Sequence, residues 1–404
     1  MRAVRASRLG LVALVAAALG AGAALGISRG AGWIGPRSTK TVVLREGEGS
    51  APAAVRTVVA ALPAGHFDPA RLYRDRSAGV VTIFSYFGAS SDPAATVAQG
   101  SGFVVSRRGY VLTNSHVITT AGEGGPVGPA REVYVEFSDH DRVRARIVGW
   151  DVFDDVGLIK VAPPAHALVP VPLGDSAAVV VGEPVAAIGS PLGNENSLTV
   201  GVVSGVRRAI EALTAPSQYR LIDAIQTDAP ITHGNSGGPL FDARGRVIGI
   251  NAQIRSERTG GNDTGVGFAV PINSAKRSMA QLIKTGKVEY AFVGITTADL
   301  TPSLARHFGY PVDHGAIVDE VAAGSAGARA GLRGGTRTVR FAGIEFRRGG
   351  DVIVAIDGTP IRSADDVVRI VSEQLLPGET ATFTVVRGGV RRSVRVHLAA
   401  RPAD

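Results

Sequence analysis

The chain contains no cysteine, so disulfides, thiolate metal sites and cysteine nucleophiles are excluded and stability must come from packing. Aromatic residues make up only 5% and charged residues 19%, and the arginines are scattered rather than gathered in blocks interleaved with aromatics. The formal net charge of +8 therefore describes a solvated basic surface and speaks against a nucleic-acid partner. Wholesale disorder is excluded too, because 45% of the residues are hydrophobic.

What the chain does have is glycine and proline, 52 and 22 in 404 residues, which implies many turns between short strands. That length exceeds a single ordinary core and suggests two domains plus extensions. Residues 1–30 carry Arg2, Arg5 and Arg8 ahead of an apolar run from Leu9 to Ile27, a targeting segment. It reads either as a signal peptide, with Ala21-Gly22-Ala23 resembling a cleavage site, or as a membrane anchor, and in both readings the body lies outside the cytoplasm. Residues 31–70, rich in Gly, Pro, Ala and Ser, read as a linker.

From 71 to 273, short apolar runs alternate with turn residues, among them Gly79 to Phe84, Val133 to Phe137, Val156 to Val161, Pro184 to Ile188 and Val247 to Ile254. Many strands without intervening helices predict a mainly β sandwich or barrel. Residues 274–289 follow as a linker helix and hinge, with Ser274 as N-cap, Met279, Leu282 and Ile283 on one face and Gly286 as stop. Residues 290–402 read as a small α+β domain whose helix starts at Ser363, with Ser363 and Asp366 at capping-box spacing.

Gly234-Asn235-Ser236-Gly237-Gly238-Pro239-Leu240 rings one serine with glycines ahead of an apolar strand. Such a turn leaves amide N–H groups uncovered, as an oxyanion hole demands; Gly234, Asn235 and Ser236 are its candidate residues, Gly234 and Ser236 its candidate donors. A serine needs a base, and His116 in Thr113-Asn114-Ser115-His116-Val117-Ile118 directly follows a strand, a setting the other seven histidines lack. The imidazole in turn needs a carboxylate, and Asp155 opens the apolar run Val156 to Val161. Asp151 and Asp154 are its rivals and read as solvated turn residues.

These blocks resemble the HtrA, or Deg, family of trypsin-like serine proteases, as do Ala187-Ile188-Gly189-Ser190-Pro191-Leu192-Gly193, Val200 to Ser204 and Thr227-Asp228-Ala229-Pro230-Ile231. The resemblance implies two six-stranded, chymotrypsin-like β-barrels with His116, Asp155 and Ser236 in the cleft between them, acyl-enzyme endopeptidase chemistry, no cofactor or metal, and homotrimers acting on polypeptides of the cell envelope, unfolded ones among them. It also implies substrate contacts at Pro230 and Ile231 and along the strand Asn251, Ala252, Gln253 and Ile254. Pro230 stands where trypsin-like cleavage after Lys or Arg needs an acid, so a preference for apolar residues is expected. His233 and the polar excursion Arg207 to Arg220 depart from the family pattern.

Phe292-Val293-Gly294-Ile295, Gly324 to Leu332 and Gly350 to Gly358 resemble the carboxylate-binding loop, turn-and-helix block and core strand of a PDZ domain of the HtrA type. The expected ligands are peptide C-termini, added as a strand at Phe292, Val293, Gly294 and Ile295. The stretch Gly335 to Gly349 is an insertion between two of these blocks. Two rivals remain: an α/β-hydrolase esterase, since Gly234 to Gly238 also satisfies G-x-S-x-G, and a non-catalytic chaperone or peptide-binding adaptor on a protease scaffold.

Overall fold

A computed structural model describes residues 67–88, 96–122, 125–163, 166–190, 197–211, 220–232, 234–252 and 266–402. The targeting segment, nearly all of the linker, His233, Gln253 and Ile254 lie outside the described residues. Among the described residues no helix is long and apolar enough to cross a membrane.

Six strands, β1 (Val80–Tyr86), β2 (Val97–Val104), β3 (Tyr110–Thr113), β4 (Glu132–Glu136), β5 (Arg142–Asp151) and β6 (Val156–Val161), close into an antiparallel barrel in the order β1-β2-β3-β6-β5-β4. The period-two pattern shows why: in β4, Val133 and Val135 point inward while Glu132, Tyr134 and Glu136 point outward. With Ile83, Val104, Val111 and Ile159 they fill the barrel.

A second barrel follows: β7 (Pro184–Gly189), β8 (Ser197–Glu211), β9 (Arg220–Thr227), β10 (Pro239–Asp242), β11 (Val247–Ala252) and β12 (Gly267–Pro271), in the order β10-β11-β12-β9-β8-β7. Here β10, β11 and β12 are buried at every position, because both of their faces are covered. Phe103, Leu112 and Leu158 of the first barrel join Ile188, Phe241 and Ile250 of the second in one apolar cluster, which locks the barrels together. The polar excursion begins as sheet: β8 runs on to Glu211 and pairs with β9, while residues 212–219 are outside the described residues.

The linker helix is corrected by the structure. It spans Ile272–Thr285 with Pro271 at the N-cap, so Ser274 lies inside it, buried, whereas the Gly286 stop, at φ +78°, and the inward placing of Met279 and Leu282 are as expected. Ile272, Ala275 and Leu282 are buried in the barrel cluster, whereas Ile283 is 46% exposed. The helix is therefore part of the protease core and not a hinge.

The C-terminal sheet is ordered β14 (Ile295–Leu300), β15 (Gly315–Val321), β18 (Val352–Ile356), β20 (Thr380–Arg387) and β21 (Val390–His397); β13 (Ala291–Phe292) pairs with β22 (Ala399–Ala400), and β19 (Thr359–Pro360) with β18. The helix Ala364–Arg369 has the expected capping box: Ser363 Oγ accepts from Asp366 N–H, and the Asp366 carboxylate accepts from Ser363 N–H. The Gly335 to Gly349 insertion is a hairpin, β16 (Arg337–Phe341) and β17 (Ile344–Arg348). Phe346, 2% exposed, anchors it edge-on to Phe308 at 5.6 Å.

Helix Ile272–Thr285 supplies a test of this packing. Leu282→Ala is expected to cost about 2–5 kcal/mol in urea unfolding followed by circular dichroism, while Ile283→Ala changes stability by less than about 0.5 kcal/mol.

Candidate active site

Three local structures carry the three expected residues, and two of them bring His116 against Asp155. β3 ends at Thr113, and a single helical turn, Ser115–Ile118, carries His116. The hairpin between β5 and β6 carries Asp155 at its last loop position, at φ +50°, a left-handed conformation that an aspartate tolerates better than most residues. The turn ahead of β10 carries Ser236, with Gly234 at φ +97° and Gly237 at φ +85°. A Cβ on Gly237 would lie 2.1 Å from the Ser101 carbonyl oxygen, so the close approach itself requires glycine there.

Asp155 is 3% exposed and gathers its donors from the histidine turn. His116 Nδ1 lies 2.9 Å from Oδ2 and 3.1 Å from Oδ1, Ser115 Oγ donates to Oδ1 at 2.8 Å, and His116 N–H donates to Oδ1 at 3.2 Å. Asn114 Nδ2 holds the backbone by donating to the Asp155 carbonyl at 2.8 Å. Nδ1 therefore carries the proton and Nε2 is left to act as an acceptor. Burial by itself would push the His116 pKa down, but the Asp155 charge and hydrogen bond outweigh it and hold the imidazole above its ordinary value.

Ser101 of β2 ties the serine turn to this pair. Its N–H donates to the Ser236 carbonyl at 2.8 Å, its Oγ donates to the Gly234 carbonyl at 2.5 Å, and the same Oγ accepts from Ser190 N–H at 2.9 Å. Thr113 Oγ1 donates to the Ser101 carbonyl at 2.7 Å, so the segment ahead of His116 and the segment around Ser236 share one residue. Among the described residues the N–H groups of Gly234 and Ser236 donate to no protein acceptor, the arrangement an oxyanion hole needs.

Some expectations need correction. Asn235 N–H donates to the Thr232 carbonyl at 3.0 Å, so Asn235 is not a donor to an oxyanion. Asn251 gives its N–H to Gly238 and its carbonyl to Gly237, at 2.8 and 2.9 Å, so it braces the serine turn instead of offering backbone to a substrate strand. Ala252 pairs on one edge with Phe268 of β12, which leaves its expected role as it was. No direct hydrogen bond links Ser236 Oγ to His116, and such bonds commonly form only with substrate in place. Asp151 and Asp154 are not solvated: Asp151 is 3% exposed and accepts from Ser278 and Tyr290, and Asp154 is ion-paired with Arg277 at 2.6 Å. Ser101 and Ser115 went without a role in the sequence, where the only trace was hydroxyls bordering apolar strands.

At the expected specificity site, Ile231 packs so closely on β12 that a Cβ on Gly267 would lie 2.6 Å from its Cγ1. The Pro230 carbonyl accepts from Thr199 Oγ1 at 3.0 Å, and Asp228, two residues earlier in the chain, accepts from Val202 N–H at 2.6 Å. In the C-terminal domain, Gly294 at φ +75° and its neighbour Val293 have their carbonyls occupied by Ala322 and Gly327 N–H, which fixes the loop ahead of β14. A groove runs between that loop and the helix residues Val367, Val368 and Val371.

Residues 100–250 match a trypsin-like peptidase domain and residues 291–398 a PDZ domain. The HtrA-type protease AlgW solved with a tripeptide is 30% identical, with a TM-score of 0.67 over 83% of this chain and 98% of that one. The chain belongs to the HtrA-type protease family. The crystal structure of the serine endoprotease from Yersinia pestis is similar at 25% identity and a TM-score of 0.56, covering 83% of this HtrA-type chain and 98% of that one. Among curated relatives, the probable periplasmic serine endoprotease DegP-like of Pseudomonas fulva (strain 12-X) is 38% identical over 305 residues, 76% of this HtrA-type chain and 56% of that protein. Its namesake in Brucella suis biovar 1 (strain 1330) is 37% identical over 308 residues, 76% of this chain and 54% of the relative. The chain thus spans just over half the length of the curated relatives it matches.

The geometry predicts a titration. His116, followed by NMR of histidine-labelled protein, is expected to titrate above the ordinary value of about 6.5. With Asp155→Asn its pKa falls below that value, because burial is then unopposed.

Proposed function

We propose that this chain is a serine endopeptidase that hydrolyses peptide bonds through an acyl-enzyme, with His116, Asp155 and Ser236 as its triad. The observation that carries the reading is the pairing of His116 Nδ1 with a buried carboxylate at 2.9 Å, on a segment tied through Ser101 to a serine turn whose Gly234 and Ser236 N–H groups meet no acceptor among the described residues. Neutral Nε2 takes the Ser236 hydroxyl proton as Oγ attacks the peptide carbonyl. The N–H groups of Gly234 and Ser236 stabilise the oxyanion, and the imidazolium, supported by Asp155, returns the proton to the leaving amine. Water then attacks the acyl-enzyme by the same route.

The substrates are polypeptides, unfolded ones among them, of the cell envelope; this rests on the periplasmic naming of the relatives and on the N-terminal apolar segment. The Ile231 wall and Pro230 favour small or medium apolar residues before the cleaved bond. The PDZ groove takes peptide C-termini as an added strand along β14, which is the end strand of its sheet; the structures of AlgW with a tripeptide and with a decapeptide support a peptide-binding family. Homotrimerisation and anchoring or secretion by residues 1–30 are carried over from the family resemblance and the sequence. The esterase reading fails on architecture, since an α/β-hydrolase needs alternating strands and helices and this chain folds into closed barrels.

A fluorophosphonate is expected to modify Ser236 and no other residue, mapped by mass spectrometry. Casein cleavage by purified protein is expected to fall at least ~10³-fold with Ser236→Ala; equal, negligible activity in both proteins indicates the adaptor instead. A peptide library is expected to show cleavage after Val, Ala or similar residues, and cleavage mainly after Lys or Arg overturns the specificity reading.

A further inference from the structure

β5 ends at Asp151 and β6 begins at Val156, so the Asp155 carboxylate is delivered by a four-residue hairpin loop. The loop ends with Asp155 at positive φ, a conformation that persists only where the surroundings impose it. Asn114, Ser115 and His116 hold Asp155 itself, and the rest of the loop is held by Asp151. Its Oδ1 accepts the N–H groups of Phe153 at 3.0 Å and Asp154 at 3.3 Å, which sets the turn. Its Oδ2 accepts Ser278 Oγ at 2.7 Å from the helix Ile272–Thr285 and the Tyr290 hydroxyl at 2.5 Å from the entry to the PDZ domain. All four hydrogen bonds that a carboxylate ordinarily accepts are therefore made inside the protein, and none of them goes to the triad.

We propose that Asp151 is a positioning residue for the peptidase reaction: it holds the Val152 to Asp155 loop so that the Asp155 carboxylate stays against His116 Nδ1, and it is itself held jointly by the core helix and by Tyr290. The proposal rests on the triad reading above. Around Asp151 the charged and titratable groups are Asp154 on the same loop, Arg277 on the helix, and Tyr290, Glu373 and Arg401 from the C-terminal side. Arg277 pairs with Asp154, donates to the Ser372 carbonyl at 2.7 Å and lies 5.0 Å from the Tyr290 ring centre; Arg401 lies 4.8 Å from that of Phe153. Burial, and then repulsion by Asp154, raises the Asp151 carboxyl to about 6, and burial with Asp223 and Asp154 raises Glu373 to about 7. A proton on Oδ2 leaves Oδ1 free to hold the turn, because the Ser278 and Tyr290 hydroxyls can accept. An asparagine is therefore the conservative replacement.

The test uses the full chain, fluorescein-labelled β-casein and a pH profile from about 5 to 9. Asp151→Ala is expected to lower kcat roughly 10- to 100-fold with KM within about twofold. It also moves the acid limb of kcat/KM to lower pH, because His116 loses part of its support from Asp155. Asp151→Asn restores most of kcat and returns the limb. An unmoved limb in Asp151→Ala, or an Asp151→Asn no better than the alanine variant, overturns the proposal, since a purely structural role lowers the amount of folded enzyme without altering the titration. Should Asp151→Ala fail to fold, Tyr290→Phe and Ser278→Ala each remove one anchor and are expected to shift the limb in the same direction; no shift in either overturns it. Asp155→Asn separates the two readings: a loss of ~10⁴-fold in kcat is expected, and near wild-type activity there refutes the triad itself.

Discussion

A carboxylate with almost no access to water has to find its donors within the protein, and the active-site end of this molecule is arranged around that requirement at Asp155. Leaving such a charge buried and unpaired costs about 3–5 kcal/mol, so the His116 turn, the Ser115 hydroxyl and the hairpin loop are bound to one another by a single need. The same pairing decides the chemistry. It sets the imidazole tautomer, leaves Nε2 without the proton, and supports the cation that forms when a proton is taken up.

The second requirement is that two separately closed barrels present these groups to each other. Apolar packing of Phe103, Leu112 and Leu158 against Ile188, Phe241 and Ile250 brings the barrels together but has no directional preference. Direction comes from Ser101, whose backbone and hydroxyl make hydrogen bonds to both sides of the cleft, and from Gly237, where nothing larger than hydrogen fits. The PDZ domain is joined to this arrangement through Asp154, Arg277 and Tyr290, close to the loop that carries Asp155.

Much of this was legible in the chain. The alternation in β4, the serine among glycines, the histidine directly after a strand and the acid opening an apolar run each follow from local chemistry that a sequence displays. The capping box at Ser363 and Asp366 and the stop at Gly286 are local too, and both stand where the sequence put them. What failed depended on distant partners. Asp151 looked like a turn residue because Ser278 and Tyr290 are more than a hundred residues away. Asn251 looked like substrate-binding backbone because its pairing with Gly237 and Gly238 is a tertiary contact, and the helix read as a hinge because only packing shows Leu282 inside the barrel cluster.

The sequence by itself determined the residue chemistry, the mainly β character and the two-domain plan, since period-two patterning and turn residues act over a few positions. Only the tertiary structure decided which acids are buried, which N–H groups around Ser236 meet no acceptor among the described residues, and how the loop carrying Asp155 is held. Those properties are set by what closes over a residue in space, and burial is what turns a carboxylate or an N–H group from a solvated bystander into one that must be paired or used.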